Sequence, residues 1–137
     1  MEKSIIIINN NVYKKFDTKI TNEKYKTRNF YTTEIIEGYS PCFKFNINDK
    51  IFLNIETMLL EERITKLNKG KKINIKKNIT DILYKNEGGW ETLTEDKYII
   101  TIRKEAENEY FLDFTLTEKN YEKYSIILNV YLKIKGE

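Results

Sequence analysis

The sequence IILNVYLKI at residues 126–134 decides the fold class, because apolar residues occupy every second position over its whole length. Successive side chains of a β-strand point to opposite faces, so a repeat of two is typical of a strand with one face in a core. The opposite face carries Asn129, Tyr131 and Lys133. The inward face is expected to hold five residues: Ile126, Leu128, Val130, Leu132 and Ile134.

Two segments upstream repeat this pattern and extend the strand into a sheet. Tyr110–Leu116 has apolar residues at its even positions, and Phe111 is the one apolar residue on its outer face. Tyr98–Lys104 places Ile100 and Ile102 inward. Three consecutive strands with short polar connections are typical of an antiparallel meander.

A separate hairpin is predicted nearer the N-terminus. Phe43–Ile47 and Ile51–Ile55 both alternate between apolar and polar residues, and Asn48 and Asp49 lie between them. Asparagine and aspartate favour turns because their side chains hydrogen-bond to the nearby backbone. These two segments therefore predict a second antiparallel pair.

The segments before this hairpin are less regular. Ile5–Ile8 lacks alternation, which is typical of a strand covered on both faces. Residues 28–37 have strand character, and we expect that strand to end at Gly38, ahead of Pro41. Residues 10–27 are mostly polar, and we expect them to form mainly loop.

Residues 58–67 allow two interpretations. Met58–Leu67 contains good helix formers with apolar residues on one helical face, and it stops near Gly70. The alternative is a strand that enters a turn at Asn68–Lys71, with Ile73 and Ile75 on the returning strand. The sequence favours the helix only slightly.

A second short helix is predicted after residue 77. Either Asn78 or Thr80 could cap it, it would run through Ile82 and Leu83, and Gly88-Gly89 would end it. The whole chain, residues 1–137, is expected to form a single domain that is mainly β. The architecture is predicted to be an antiparallel β-sandwich or strongly twisted sheet of about seven strands with one or two short helices.

The composition sets the expected compartment. No apolar run approaches the ~18 residues that span a bilayer, and Ile5–Ile8 is too short for a secretory signal. Cys42 is the only cysteine, which excludes an internal disulfide and is typical of a reducing environment. A cytoplasmic protein without a membrane span is therefore predicted.

The absence of histidine excludes several chemistries at once. Catalytic triads, histidine-ligated zinc and the usual near-neutral general base all require it. The five glycines match no phosphate-binding loop. We expect no metal, no cofactor and no enzymatic activity, although a carboxylate pair formed on folding could still act as acid and base. The candidate carboxylates are Glu61, Glu62, Glu95, Asp96, Glu105, Glu107 and Glu109.

The leading hypothesis is a non-catalytic module that binds another protein, such as an inhibitor, an immunity factor or an assembly component. Trp90, Phe111 and Tyr131 are the candidate binding residues, because aromatic side chains dominate many interfaces. Trp90 follows a flexible Gly-Gly turn and would count as core if it were buried. The formal charge is +7 over residues 1–86 and −4 over residues 87–137, a separation that could steer a partner.

The alternative hypothesis is a nucleic-acid-binding domain that uses the lysine-rich segment 66–77. This segment has no acidic residue and could follow a phosphate backbone. It also lacks arginine and interleaved aromatics, so a solvated surface that resists aggregation is the plainer interpretation. The lysines in question are Lys66, Lys69, Lys71, Lys72, Lys76 and Lys77.

Overall fold

The computed structural model describes residues 4–28, 31–57, 67–93, 97–118 and 125–134. The described residues contain eleven β-strands, not about seven, and one 3-10 helical turn at Lys76–Asn78. No helix among them is long and apolar enough to cross a membrane. The strands are β1 Ile5–Ile8, β2 Asn11–Tyr13, β3 Asp17–Arg28, β4 Ile35–Asn46, β5 Phe52–Thr57, β6 Lys72–Asn74, β7 Ile79–Asn86, β8 Gly89–Thr92, β9 Lys97–Ala106, β10 Glu109–Glu118 and β11 Ile126–Lys133.

Two antiparallel sheets organise these strands. The six-stranded sheet has the order β2-β1-β11-β10-β9-β6, and the five-stranded sheet has the order β3-β4-β5-β7-β8. The mainly β fold class is therefore confirmed, and so is the meander, because β9, β10 and β11 are neighbours in sequence order. The N-terminal β1 pairs with β11 and extends this meander on one side.

The predicted alternation determines which side chains are buried. Every inward residue of β10 and β11 is at most 3% exposed, with Tyr110 and Phe114 fully buried on β10. The hairpin of β4 and β5 buries Phe43, Phe45 and Leu53 in the same way. These residues of both sheets belong to one hydrophobic cluster. Full burial of such a side chain stabilises the fold by about 1.5–3 kcal/mol.

Residues 10–27 are largely strand, so the prediction of loop is wrong. β2 and β3 are the outer strands of their sheets, and β3 pairs with β4 over its whole length. An edge strand has a neighbour on one side only and is often polar, which protects it from pairing with other chains. The polarity of this segment therefore reflects its place at an edge.

The strand predicted over residues 28–37 is displaced. β4 begins at Ile35 and continues through Gly38 and Pro41, and Tyr31 lies in the turn before it. Pro41 has no N–H group to donate, but β5 pairs with β4 only from Cys42 onward. The carbonyl of Pro41 instead accepts a hydrogen bond of 2.6 Å from the Thr57 hydroxyl.

The short helix predicted through Ile82 and Leu83 is also wrong, because these residues lie on β7. Their burial alternates: Ile82 and Tyr84 are inward and Leu83 and Lys85 outward, which is the period of a strand. Of residues 58–67, only Leu67 lies within the described residues, and it is buried.

A turn follows at residues 69–70, where the Lys71 N–H donates to the Asn68 carbonyl at 2.9 Å. The next residues form β6 and include Ile73. The turn of the alternative interpretation is thus present and Ile73 lies on a strand, but this strand ends before Ile75 and pairs with β9. Whether residues 58–66 are helix or strand lies outside the described residues.

Candidate functional site

Phe111 and Tyr131 lie together on the outer face of the six-stranded sheet. They are directly opposite in the register of β10 and β11, and their ring centroids are 4.8 Å apart at an interplanar angle of 52°. The Arg103 guanidinium lies 5.1 Å from the Phe111 ring on the other side and donates to Glu105 at 2.6 Å. The result is a half-buried pair of rings flanked by a cation.

The same face carries an aliphatic row that the sequence reasoning missed. Ile99 on β9 is 64% exposed and Val12 on β2 is 54% exposed, although both are large apolar residues. The strand register places Thr115, Ile127 and Ile7 in line between them. This row could be predicted from the sequence only by assuming that β1 pairs with β11, because Ile7 and Val12 are far from Ile99 in sequence.

A polar row separates the aromatic pair from the aliphatic row. Thr101, Asp113 and Asn129 face one another across β9, β10 and β11 on the outer side. Each is partly exposed. The outer face therefore carries apolar groups on both sides of a strip of hydrogen-bonding groups. We call it the six-strand face.

Trp90 does not belong to the six-strand face. It lies on β8 of the five-stranded sheet, opposite Lys85, and it is 55% exposed, so it is not a core residue. Its indole is stacked against Phe52 of β5, with ring centroids 6.5 Å apart and an interplanar angle of 25°. The three predicted binding residues are thus divided between two sheets.

A concave pocket lies beside this second aromatic pair. It has a volume of about 390 Å³, and its wall includes Phe52, Trp90, Lys19 and Lys44. Lys19 and Lys44 are directly opposite in the register of β3 and β4, and both are exposed. The sequence gives no sign of this arrangement, since the four residues come from four different strands.

The lysine-rich segment lies along the other edge of the six-stranded sheet. Its described lysines, Lys69, Lys71, Lys72, Lys76 and Lys77, are all exposed, and Lys66 lies outside the described residues. The Lys76 ammonium donates to the Tyr98 carbonyl at 3.0 Å and contacts the Tyr98 ring. Lysines around a three-residue edge strand discourage sheet-to-sheet pairing. Nucleic-acid binding by this segment stays a prediction.

Three of the candidate carboxylates, Glu105, Glu107 and Glu109, lie within the described ranges. Glu105 accepts a hydrogen bond from Arg103, while Glu107 and Glu109 are exposed at the turn between β9 and β10. Glu61, Glu62, Glu95 and Asp96 lie outside the described residues. Among the residues that are described, no group of three or more carboxylate, thiol or imidazole side chains could hold a metal ion.

Comparison of the chain with models of protein families, with curated proteins and with solved structures finds no match. Function is therefore inferred from the side chains on the outer faces of the two sheets.

Proposed function

We propose that this chain is a non-catalytic module that binds another protein through the six-strand face. The observation that supports it is the row of aliphatic side chains that ends in the strongly exposed Ile99 and Val12. Contiguous exposed apolar surface bordered by polar groups is typical of protein interaction sites. The inhibitor, immunity or assembly role stays within this proposal.

The rest of the face supplies the other parts of an interface. Phe111, Tyr131 and Arg103 are residue types that are enriched where binding energy concentrates. The strip with Asp113 and Asn129 offers hydrogen-bond acceptors and donors, which set orientation more than affinity. A face of this kind suits a partner that presents aliphatic side chains beside amide or hydroxyl groups.

We also infer that the two sheets face each other as a β-sandwich within one domain. The shared hydrophobic cluster supports this, since it contains Ile6 and Phe114 from one sheet and Phe43 and Ile82 from the other. A sandwich leaves both outer faces open to partners. The cytoplasmic compartment stays a prediction from the sequence.

Site-specific photocrosslinking tests the interaction proposal. A benzophenone amino acid at position 99 should crosslink one protein of defined mass in an extract of the source organism. The matched control carries the same group at Thr92, an exposed position on the outer face of the other sheet. Ile99→Lys and Val12→Lys, in a chain crosslinked through position 111, should abolish the product while leaving the thermal midpoint unchanged.

Three results would contradict the proposal. Equal crosslinking at positions 99 and 92 would show an unspecific surface, and no product at position 99 would show no partner. A product with twice the mass of the chain would identify a second copy as the occupant in place of another protein.

A further inference from the structure

The outer face of the five-stranded sheet has an aromatic platform at one end of a cross-strand row. The register aligns Asp17, Asn46, Phe52, Lys85 and Trp90 on five successive strands. The Lys85 ammonium lies 5.4 Å from the Phe52 ring and 5.7 Å from the Trp90 ring. Two near-parallel rings with a cation beside them provide a surface on which a flat, electron-rich ring can stack.

The neighbouring row places two like charges opposite each other. Lys19 and Lys44 are a direct cross-strand pair, and such pairs of equal charge destabilise a sheet. Neither lysine forms an ion pair with any described residue. Asp17, which also lines the pocket, forms no ion pair with either lysine in this described part of the structure. The ammonium groups of Lys19 and Lys44 are therefore available to bind an anion.

The aromatic platform and the two lysines are close enough for a single ligand to contact both. Lys44 is opposite Asn54 on β5, so Phe52 is its diagonal neighbour, and such neighbours lie about 7–8 Å apart. The amides of Asn46 and Asn54 line the space between them. A volume of about 390 Å³ is within the range of small-ligand sites.

We propose that this pocket binds a nucleobase together with its phosphate. The base stacks on Phe52 and Trp90, the asparagine amides meet its polar edge, and Lys19 and Lys44 hold the phosphate. The group could come from a free nucleotide or from single-stranded nucleic acid, since both present the same chemistry. This site is separate from the six-strand face, so the two proposals stand or fall independently.

Fluorescence of Trp90 gives a direct test, because it is the only tryptophan in the chain. Stacking of a base should quench its emission. The probes are adenosine 5′-monophosphate and an oligodeoxythymidine of about ten nucleotides, a length in the range that single-strand-binding folds cover. Quenching by the mononucleotide identifies a free nucleotide as the ligand, and quenching by the oligonucleotide alone identifies single-stranded nucleic acid.

Variants identify the residues responsible. The double variant Lys19→Gln, Lys44→Gln should weaken binding by about tenfold or more. The slope of log affinity against log salt concentration should also become shallower by about one for each lysine removed. Phe52→Leu should weaken binding and reduce quenching. Lys133→Gln, at an exposed lysine of the six-stranded sheet, is the matched control and should change neither.

Three outcomes would overturn the proposal that this pocket binds a nucleobase and its phosphate. No quenching by either probe would overturn the proposal, and so would binding that Lys133→Gln weakens as much as the double variant does. Binding that is lost on neutralising Lys69, Lys71, Lys72 and Lys76, but not Lys19 and Lys44, would overturn it too and move the contact to the lysine-rich segment.

Discussion

Phe111 and Tyr131 face each other across β10 and β11, with ring centroids 4.8 Å apart on the outer side of the sheet. The pair lies outside the core, yet its side-chain contact joins the two central strands of the six-stranded sheet. Aromatic cross-strand pairs are among the contacts that stabilise antiparallel sheets.

We expect the two rings to be energetically coupled. A double-mutant cycle with Phe111→Ala and Tyr131→Ala should give a coupling energy of about 0.5–1.5 kcal/mol from chemical denaturation. The control cycle combines Phe111→Ala with Trp90→Ala on the other sheet, and the two effects should add within about 0.5 kcal/mol. Equal coupling in both cycles would show that the ring contact contributes nothing specific.

The hydroxyl group of Tyr110 should lower the free energy of unfolding, compared with a phenylalanine at the same position. Its ring is fully buried, and its hydroxyl has no hydrogen-bond partner among the described residues. Tyr110→Phe removes this unsatisfied group and should raise the free energy of unfolding by up to about 1 kcal/mol. Tyr110→Ala, which removes the ring as well, should lower it by roughly 3–5 kcal/mol. A loss of stability in Tyr110→Phe would reveal a partner for the hydroxyl.

The Tyr110 hydroxyl should also make the free energy of unfolding fall with rising pH in the alkaline range. Burial raises the pKa of Tyr110 above its ordinary value of 10.0, because the charged phenolate is poorly solvated inside the core. The folded chain therefore holds this proton more tightly than the unfolded chain. Stability from this residue is complete below about pH 10 and is lost as pH rises toward the folded pKa. Urea denaturation across that range should show a smaller fall for Tyr110→Phe than for wild type.

Gly89 should resist substitution because of its backbone conformation. Its φ angle is +107°, which L-residues rarely adopt, and it directly precedes Trp90. Gly89→Ala should lower the free energy of unfolding by about 1–2 kcal/mol through strain in this turn. Gly88, which is outside the positive-φ region, is the control and should be affected less. A Cβ at Gly89 would meet no atom within 4 Å, so unchanged stability in Gly89→Ala would contradict the role of its φ angle.

Asn48 should hold the turn between β4 and β5. Its side-chain oxygen accepts hydrogen bonds from the Lys50 and Ile51 N–H groups at 2.8 and 3.0 Å. Asn48→Ala should cost about 1–2 kcal/mol in thermal or urea unfolding, whereas Asn48→Asp keeps the acceptor and should cost less. Asp49→Ala next to it should have little effect, and a similar loss there would argue against the role of the Asn48 side chain.

The sequence predicts the meander and the β4–β5 hairpin because their evidence is local. One face of each strand meets the core, so apolar residues repeat with a period of two, as in Ile126–Ile134. The edge strand β3 gave no such signal, since its polar residues are those of an edge. The sequence predicts a helix in place of β7 because Ile82 and Leu83 are adjacent apolar residues, although only Ile82 is inward.

Some features of the candidate sites also follow from local alternation, whereas others depend on strand order. The outward placement of Phe111 and Tyr131 follows from alternation within each strand, and their contact follows from the meander between neighbouring strands. The aliphatic row needs β1 to pair with β11, and the pocket needs β3, β4, β5 and β8 in one sheet. The β1–β11 pairing joins the two ends of the chain and the β5–β7 pairing joins strands that are not consecutive, so alternation within each strand does not predict either one.

A β-rich chain and the inward faces of its central strands can thus be predicted from the sequence alone. These are consequences of local alternation and of composition. The exposure of Trp90 beside Phe52 and the position of Lys19 opposite Lys44 depend on how the strands assemble into sheets. Strand order and register bring these side chains onto one surface, and alternation within a single strand does not specify either of them.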